Sequence, residues 1–230
     1  MAKDSFHKIA LINQKSRDVA LAEFLKLNVP KTAKIIDVGC GSGSWLKVLR
    51  DLGYKNIYGT DMNAEELYVD KIKVPFKEAN FNKPFPYKDK EFDVVFSLEV
   101  IEHVENPWFF MEEIQRILKP NGYCIMTTPN PDMLASRIIF LLAGRFVHFG
   151  GGSLSYEQNR KEPLKDKHRT PVFHFLYREM VYKRFKILAY KGNGVHPLIA
   201  GHEAYIGIKS PLFGMNKIYV LQKTFPYFKM

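Results

Sequence analysis

Short apolar runs alternate with segments of helical periodicity over the first 130 residues of the chain. Residues 33–39 (AKIIDVG) form an apolar run that is typical of a buried parallel strand, and residues 44–53 (SWLKVLRDLG) follow with helical spacing. The same reasoning predicts strands at 56–61, 74–81, 92–98 and 123–128. This alternation predicts an α/β fold with a mostly parallel sheet and helices on both faces.

The helix predicted after residue 105 carries signals at both ends. Asn106 suits the N-cap and Pro107 the first helical position, and Pro120 and Gly122 are expected to end the helix. Its predicted buried stripe consists of Phe110, Ile114, Ile117 and Leu118.

The second half of the chain is less regular. Residues 133–146 (MLASRIIFLLAGRF) predict an apolar helix that is too short to span a membrane. A helix is expected over 175–185, and strands over 185–191 and 217–224.

The composition limits the classes of protein to which the chain can belong. The chain has 230 residues, of which 46% are hydrophobic and 25% charged, which predicts a single folded domain. Its two cysteines, Cys40 and Cys124, are neither a disulfide framework nor a metal-ligand pair by spacing. The N-terminal residues lack the pattern of a secretory signal, and no apolar run reaches the roughly 20 residues of a membrane span, so a cytoplasmic protein is predicted.

The formal net charge of +10 allows two interpretations. A basic excess attracts nucleic acid or anionic small molecules. The lysines are spread along the whole chain, however, which favours a solvated basic surface.

Three glycines follow the first strand in DVGCGSGSW (residues 37–45), where ligands bind in open parallel sheets. A dinucleotide fingerprint would need glycine at position 44, which is Ser44, and no phosphate-loop lysine follows. A pyrophosphate ligand is therefore disfavoured. Asp37 suits an ammonium group, and Asp61, at the end of the second strand, can accept two hydrogen bonds from a ribose diol. These features predict S-adenosylmethionine as the ligand.

Several motifs in order resemble the class I S-adenosylmethionine-dependent methyltransferases. IIDVGCGSG (35–43) resembles the first motif of that family and GTDMN (59–63) its acidic second motif, and the third to fifth motifs are matched within 81–107 and 117–130. The resemblance implies a Rossmann-like sheet of seven strands with the last one antiparallel. It also implies S-adenosylmethionine as the methyl donor and S-adenosylhomocysteine as the product.

Within that superfamily the chain is similar to two groups. One contains the ubiquinone-biosynthesis O-methyltransferases, and the other contains methyltransferases found with bacterial glycan-assembly enzymes, which SRIIFLLAGRFVHFGG (136–151) followed by HRTPVFHF (168–175) resembles. The chain is expected to be one methyltransferase domain with four parts: a helical region (1–32), a cofactor-binding core (33–130), an insertion covering the acceptor site (131–184) and C-terminal strands (185–230).

The resemblance assigns the cofactor contacts residue by residue. Many members of the family have aspartate where this chain has Asn80, whose amide oxygen can still accept a hydrogen bond from an adenine amine. The residues expected to contact the cofactor are Asp37, Gly39, Cys40, Gly41, Gly43, Asp61, Met62, Asn80, Phe81, Leu98 and Glu99.

Methylation of a hydroxyl requires removal of its proton, most often by His, Asp or Glu. His103 and His168 are the candidate bases, although His103 could instead order its loop and His168 could be a surface residue. His174 could bind substrate or cap a helix, and Arg137 and Arg145 could bind an anionic acceptor or face solvent. The spacing of Glu102, His103 and His168 matches no recognised ligand motif, so no metal is expected.

The predicted acceptor is a hydroxyl on a sugar, a glycan or a small metabolite. The segment 133–149 could line the acceptor pocket or rest on a membrane surface. Two alternatives remain: methylation of RNA ribose, supported by the basic charge, and a catalytically silent partner protein that retains the fold.

Overall fold

The computed structural model describes residues 21–62, 73–146, 149, 168, 170–193, 198–199, 202–203, 212 and 214–224. The first 20 residues of the predicted N-terminal helical region lie outside these ranges, as do residues 63–71 (NAEELYVDK), whose sequence predicts a short helix. So does most of the stretch between 147 and 169.

A seven-stranded sheet forms the centre of the molecule. Its strands are β1 (Ile35–Val38), β2 (Ile57–Asp61), β3 (Phe76–Glu78), β4 (Phe92–Leu98), β5 (Leu118–Pro129), β6 (Phe185–Asn193) and β9 (Asn216–Lys223). The spatial order is β3-β2-β1-β4-β5-β9-β6, and β9 runs antiparallel to both of its neighbours while the others are parallel. The predicted fold, with seven strands and the last antiparallel, is confirmed. A separate two-stranded ribbon, β7 (Leu198–Ile199) and β8 (His202–Glu203), lies in the region for which the sequence predicted no element.

Five helices are described: α1 (21–28), α2 (Ser44–Asp51), α3 (Pro107–Ile117), α4 (Leu134–Ala143) and α5 (His174–Val181). The start of α3 is as predicted, because Asn106 Oδ1 accepts a hydrogen bond from the Phe109 amide at 3.1 Å and Pro107 occupies the first turn. The helix ends at Ile117, before the predicted Pro120, because the chain becomes extended at Leu118 and enters β5.

Two hydrophobic clusters cover the two faces of the sheet. Neighbouring residues of a strand point to opposite faces, so Ile36 packs into the cluster that contains Phe110 and Ile114, whereas Ile35 packs into the cluster of Leu25 and Leu46. All of β1 is buried, as expected for a central parallel strand covered on both sides. Both faces of the sheet are thus covered, and the carboxyl ends of the strands remain as the place for a binding site.

The helix predicted over 133–146 is confirmed as α4, and the one predicted over 175–185 is the shorter α5. The suggested capping role of His174 is wrong. The Asp132 carboxylate, which comes from another segment, accepts the His174 amide hydrogen bond at 2.7 Å and so caps α5. Within the described ranges, every helix is too short or too polar to cross a bilayer.

Candidate active site

The glycine turn after β1 is bonded to the end of β2. The amides of Gly39 and Cys40 both donate to the carbonyl oxygen of Thr60, at 2.8 and 3.1 Å. Gly39, Gly41 and Gly43 all have positive φ, at 81°, 48° and 81°. Glycine adopts this left-handed conformation without the strain that a Cβ causes. The turn therefore needs glycines for its own path.

The glycines have different surroundings. A Cβ at Gly39 would lie 2.2 Å from Cγ2 of Val100, so the loop after β4 packs directly against this position. A Cβ at Gly41 would meet no described atom within 4 Å. Gly39 thus serves close packing, and Gly41 borders open space at the carboxyl edge of the sheet.

Asp61 lies at the end of β2, next to this open space. Its Oδ2 accepts a hydrogen bond from the Gly41 amide at 2.8 Å, and the residue is half-buried. Asp37 is buried in β1, 2% exposed. An accessible carboxylate beside an open glycine turn fits the ribose and the cationic methionine part of S-adenosylmethionine.

The residues expected near the adenine differ in accessibility. Met62 is 46% exposed, and Asn80 is exposed with its Oδ1 accepting the Asn82 amide at 2.9 Å. The Phe81 ring is buried, with its centroid 5.6 Å from that of Phe85 and 5.8 Å from that of Phe110. A cofactor contact by residue 81 must therefore come from its backbone.

Leu98 and Glu99 lie where β4 ends, and both are half-buried. Glu99 has a φ of 60°, and its amide donates to the Thr127 carbonyl of β5 at 3.0 Å. Cys40 is buried, and burial followed by the charges of Asp37 and Asp61 raises the pKa of its thiol. The Cys40 thiol is therefore protonated and packs within the turn.

Glu102, His103 and His168 meet just beyond β4. One ligand-capable atom from each lies within 4.8 Å of the others, and the two imidazole rings are 4.7 Å apart at 75°. Glu102 is fully buried, and both histidines are half-buried. Burial, and then the charge of Glu99, raises the pKa of the Glu102 carboxyl well above its usual range.

A second group of polar residues surrounds a cavity of about 350 Å³ beside α4 and α5. It is lined by Asp132, Arg137, His174, Phe175, Tyr190 and Leu212. The predicted substrate residues Arg137 and His174 thus share one cavity. The third, Arg145, lies beyond the C-terminus of α4.

The cavity wall contains an ion pair that the sequence did not reveal. The fully buried Lys217 of β9 donates to the Asp132 carboxylate. The His174 ring stacks on Tyr190 with centroids 4.1 Å apart, and its Nδ1 lies 2.9 Å from the Tyr219 hydroxyl. Burial, and then the positive charge of Lys217, lowers the pKa of His174, which favours the neutral ring.

One of these missed residues had a signal in the sequence. Asp132 follows the fifth strand just as Asp61 ends the second, and the same topological argument would have selected it. The burial of Lys217 had no signal in the sequence, because a lysine in a strand ordinarily faces solvent.

The order of the strands and the glycine turn after β1 are those of the Rossmann-like fold of class I methyltransferases. Residues 36–126 match the family model described as a methyltransferase domain. The core of the chain is therefore similar to a methyltransferase domain, and S-adenosylmethionine is the cofactor that this similarity implies.

Proteins that are similar to this chain in sequence or in fold are named as methyltransferases. A ubiquinone biosynthesis O-methyltransferase of Pelagibacter ubique is 31% identical over an alignment of 125 positions, which covers 51% of this chain and 50% of the relative. A mitochondrial enzyme of the same name from Dictyostelium discoideum is 33% identical over an alignment of 129 positions, which covers 49% of this chain and 40% of the relative. The chain thus spans about half the length of the curated relatives, or less. A putative methyltransferase of Bacillus halodurans has a similar fold, with a TM-score of 0.62 at 14% identity over 89% of this chain and 99% of the other.

Proposed function

We propose that this chain transfers a methyl group from S-adenosylmethionine to a hydroxyl of a sugar, glycan or small metabolite. The observation that carries the proposal is the group of Glu102, His103 and His168, which lies directly after β4 at the carboxyl edge where the glycine turn is located. Relatives that match the core are named O-methyltransferases, which supports oxygen as the acceptor atom.

Bound S-adenosylmethionine supplies a sulfonium methyl group, whose carbon bonds to the acceptor oxygen while the C–S bond breaks and its electron pair stays on sulfur. The protein must align the acceptor and remove the hydroxyl proton. His103 and His168 are accessible enough to reach an acceptor, and either could take this proton. Asp61 would hold the ribose, and Glu99 would approach the methionine amino group.

The acceptor would extend into the cavity beside α4 and α5. Arg137 has 61% of its side chain exposed, and its Nε is held by the Asp132 carbonyl at 2.8 Å. The Arg137 guanidinium suits a phosphate or carboxylate on the acceptor. The stacked rings of His174 and Tyr190 offer a flat surface for a sugar or an aromatic ring.

The outer surface of α4 supports a lipid-linked acceptor. The helix exposes Leu141 and Leu142 by 84% and 80%, and leaves Ile138 and Phe140 about half exposed. An apolar helix face of this kind can rest in a membrane interface. Binding of the protein to anionic vesicles, lost in the variant Leu141→Ser/Leu142→Ser, would support this placement, and equal binding of both proteins would contradict it.

The basic charge also supports ribose methylation of RNA as an alternative. The basic residues are spread along the whole chain and form no dense run, so the small-molecule or glycan acceptor is favoured. A silent partner protein would share the fold but would show no methyl transfer.

A label-transfer experiment tests the proposal. The protein is incubated with methyl-labelled S-adenosylmethionine and a cell extract, which is then separated into nucleic acid, protein, lipid, polysaccharide and small molecules. Label in the polysaccharide, lipid or small-molecule fraction, stable to alkali as a methyl ether is, supports O-methylation. Nuclease-sensitive label would support the RNA alternative, and no label together with no cofactor binding would support the silent protein.

A further inference from the structure

The structure brings together three side chains that can bind a metal: Glu102, His103 and His168. Their spacing in the sequence matches no recognised ligand motif, so the sequence predicted no metal there. His168 is 65 positions from His103, yet the three ligand-capable atoms lie within 4.8 Å of one another. One carboxylate oxygen and two imidazole nitrogens are thus concentrated at one point beyond β4.

The burial of Glu102 is the second observation. Its side chain is 0% exposed, and neither carboxylate oxygen receives a hydrogen bond with good geometry from any described residue. The Thr128 hydroxyl is the polar group beside it. A buried carboxyl group in this setting is stabilised when it is paired with a cation or coordinates a metal.

The segment that carries His168 is attached to the Glu102 loop. The Thr170 amide donates to the Glu102 carbonyl at 3.1 Å, and the Thr170 hydroxyl donates to the Val104 carbonyl at 3.4 Å. The buried ring of Phe149 lies 5.6 Å from the His168 ring and shields one side of it. The three side chains are therefore held together by the fold around them.

We propose that Glu102, His103 and His168 bind a divalent transition-metal ion such as Mn²⁺, Co²⁺ or Zn²⁺. Imidazole nitrogens suit these metals, whereas Ca²⁺ and Mg²⁺ prefer sites made of oxygen ligands alone. Metal–ligand bonds of about 2.0–2.2 Å require ligand atoms no more than about 4.4 Å apart. The group reaches that geometry when its widest separation closes by a few tenths of an ångström.

The role of the metal rests on the proposed function, because the metal would activate the hydroxyl group that is methylated. Three protein ligands leave coordination positions open, and the acceptor hydroxyl oxygen occupies one of them. Coordination lowers the pKa of that hydroxyl, so its O–H bond breaks and the proton passes to water. The oxygen then bonds to the methyl carbon as the C–S bond breaks, and the metal keeps its oxidation state. In this scheme the two histidines are ligands, and the metal replaces them as the group that activates the acceptor hydroxyl.

Metal binding itself is the primary measurement. Tag-free protein is stripped with a chelator and titrated with Mn²⁺, followed by electron paramagnetic resonance, and with Zn²⁺, followed by calorimetry. We expect one equivalent to bind to the wild type. Glu102→Gln and His168→Gln should weaken binding at least tenfold, whereas the exposed Glu105→Gln on the same loop should bind like the wild type.

Calorimetric binding of S-adenosylmethionine to the same proteins shows that each variant is folded and tests the proposed function separately. Cofactor binding without any metal binding would overturn the metal site and leave the methyltransferase proposal standing. Equal metal affinity in the wild type, Glu102→Gln and His168→Gln would also overturn the metal site. Site-specific metal binding without cofactor binding would confirm the site and contradict the proposed function. With an acceptor identified, chelation should reduce turnover and Mn²⁺ should restore it, whereas a metal-free histidine base predicts no effect of the chelator.

Discussion

Residue 39 has no room for a side chain, because its Cβ would lie 2.2 Å from Cγ2 of Val100. This relationship joins the turn after β1 to the loop after β4, which carries Glu99, Glu102 and His103. The glycine therefore sets the distance between the two walls of the proposed cofactor crevice.

Two of the three glycines of the turn, Gly39 and Gly41, are expected to respond differently to substitution by alanine. Gly39→Ala combines left-handed strain of about 1–2 kcal/mol with overpacking of about 1–3 kcal/mol. Gly41→Ala carries the strain without the clash, because no described atom lies within 4 Å of its Cβ position. Denaturant unfolding should therefore show the larger stability loss for Gly39→Ala. Calorimetry should show a clear loss of S-adenosylmethionine affinity for Gly41→Ala; unchanged affinity would mean that the open space beside Gly41 is not the cofactor site.

Asp61 is expected to contribute to cofactor affinity and to the shape of the turn. Asp61→Ala removes both the ribose acceptor and the acceptor of the Gly41 amide bond, so S-adenosylmethionine should bind about 10- to 100-fold more weakly. Asp61→Asn retains an accepting oxygen and should lose less. Isothermal titration of both variants measures the difference, and wild-type affinity in Asp61→Ala would disprove the ribose placement.

Arg137 is expected to affect the acceptor and not the cofactor. Arg137→Ala should raise KM for an anionic acceptor about tenfold or more, because hydrogen bonds to a charged group contribute about 1.5–3 kcal/mol. Its affinity for S-adenosylmethionine should stay at the wild-type value. Arg178→Ala is the matched control, since Arg178 is exposed on α5 and does not line the cavity. Equal KM values in the two variants would remove Arg137 from the acceptor site.

Glu113 links the stability of the fold to acid pH. Burial opposes its ionised form, but hydrogen bonds from Arg116 at 2.7 and 2.8 Å and from the Phe85 amide at 2.7 Å outweigh that effect and lower its pKa below 4.5. A lowered carboxyl pKa contributes stability above the unfolded-state value, and this stability is lost as the pH falls through the folded-state value. Glu113→Gln should therefore be less stable at pH 7 by about 1–3 kcal/mol and should lose less on acidification.

Thermal unfolding from pH 7 to pH 3 checks this prediction, with the exposed Glu105→Gln as a control. If the melting temperatures of the wild type and of Glu113→Gln fell by the same amount between pH 7 and pH 3, the Arg116–Glu113 pair would not govern acid stability.

Local patterns in the sequence predicted the strands of the central sheet and one wall of the site. Strand and helix patterns are local, so β1, β2 and β4 were predicted together with the α3 cap at Asn106. The glycine turn and Asp61 follow from the same local logic, because the carboxyl ends of parallel strands share one edge of the sheet.

The contacts between side chains that are distant in the sequence could not be predicted from local patterns. His168 lies beside His103 and Glu102 because the Thr170 backbone bonds to the Glu102 loop, a contact that no spacing rule contains. Lys217 reaches Asp132 because β9 enters the sheet antiparallel to β5. Periodicity reports which face of an element is buried, whereas a site is made by contacts between elements, and those depend on how the whole chain packs.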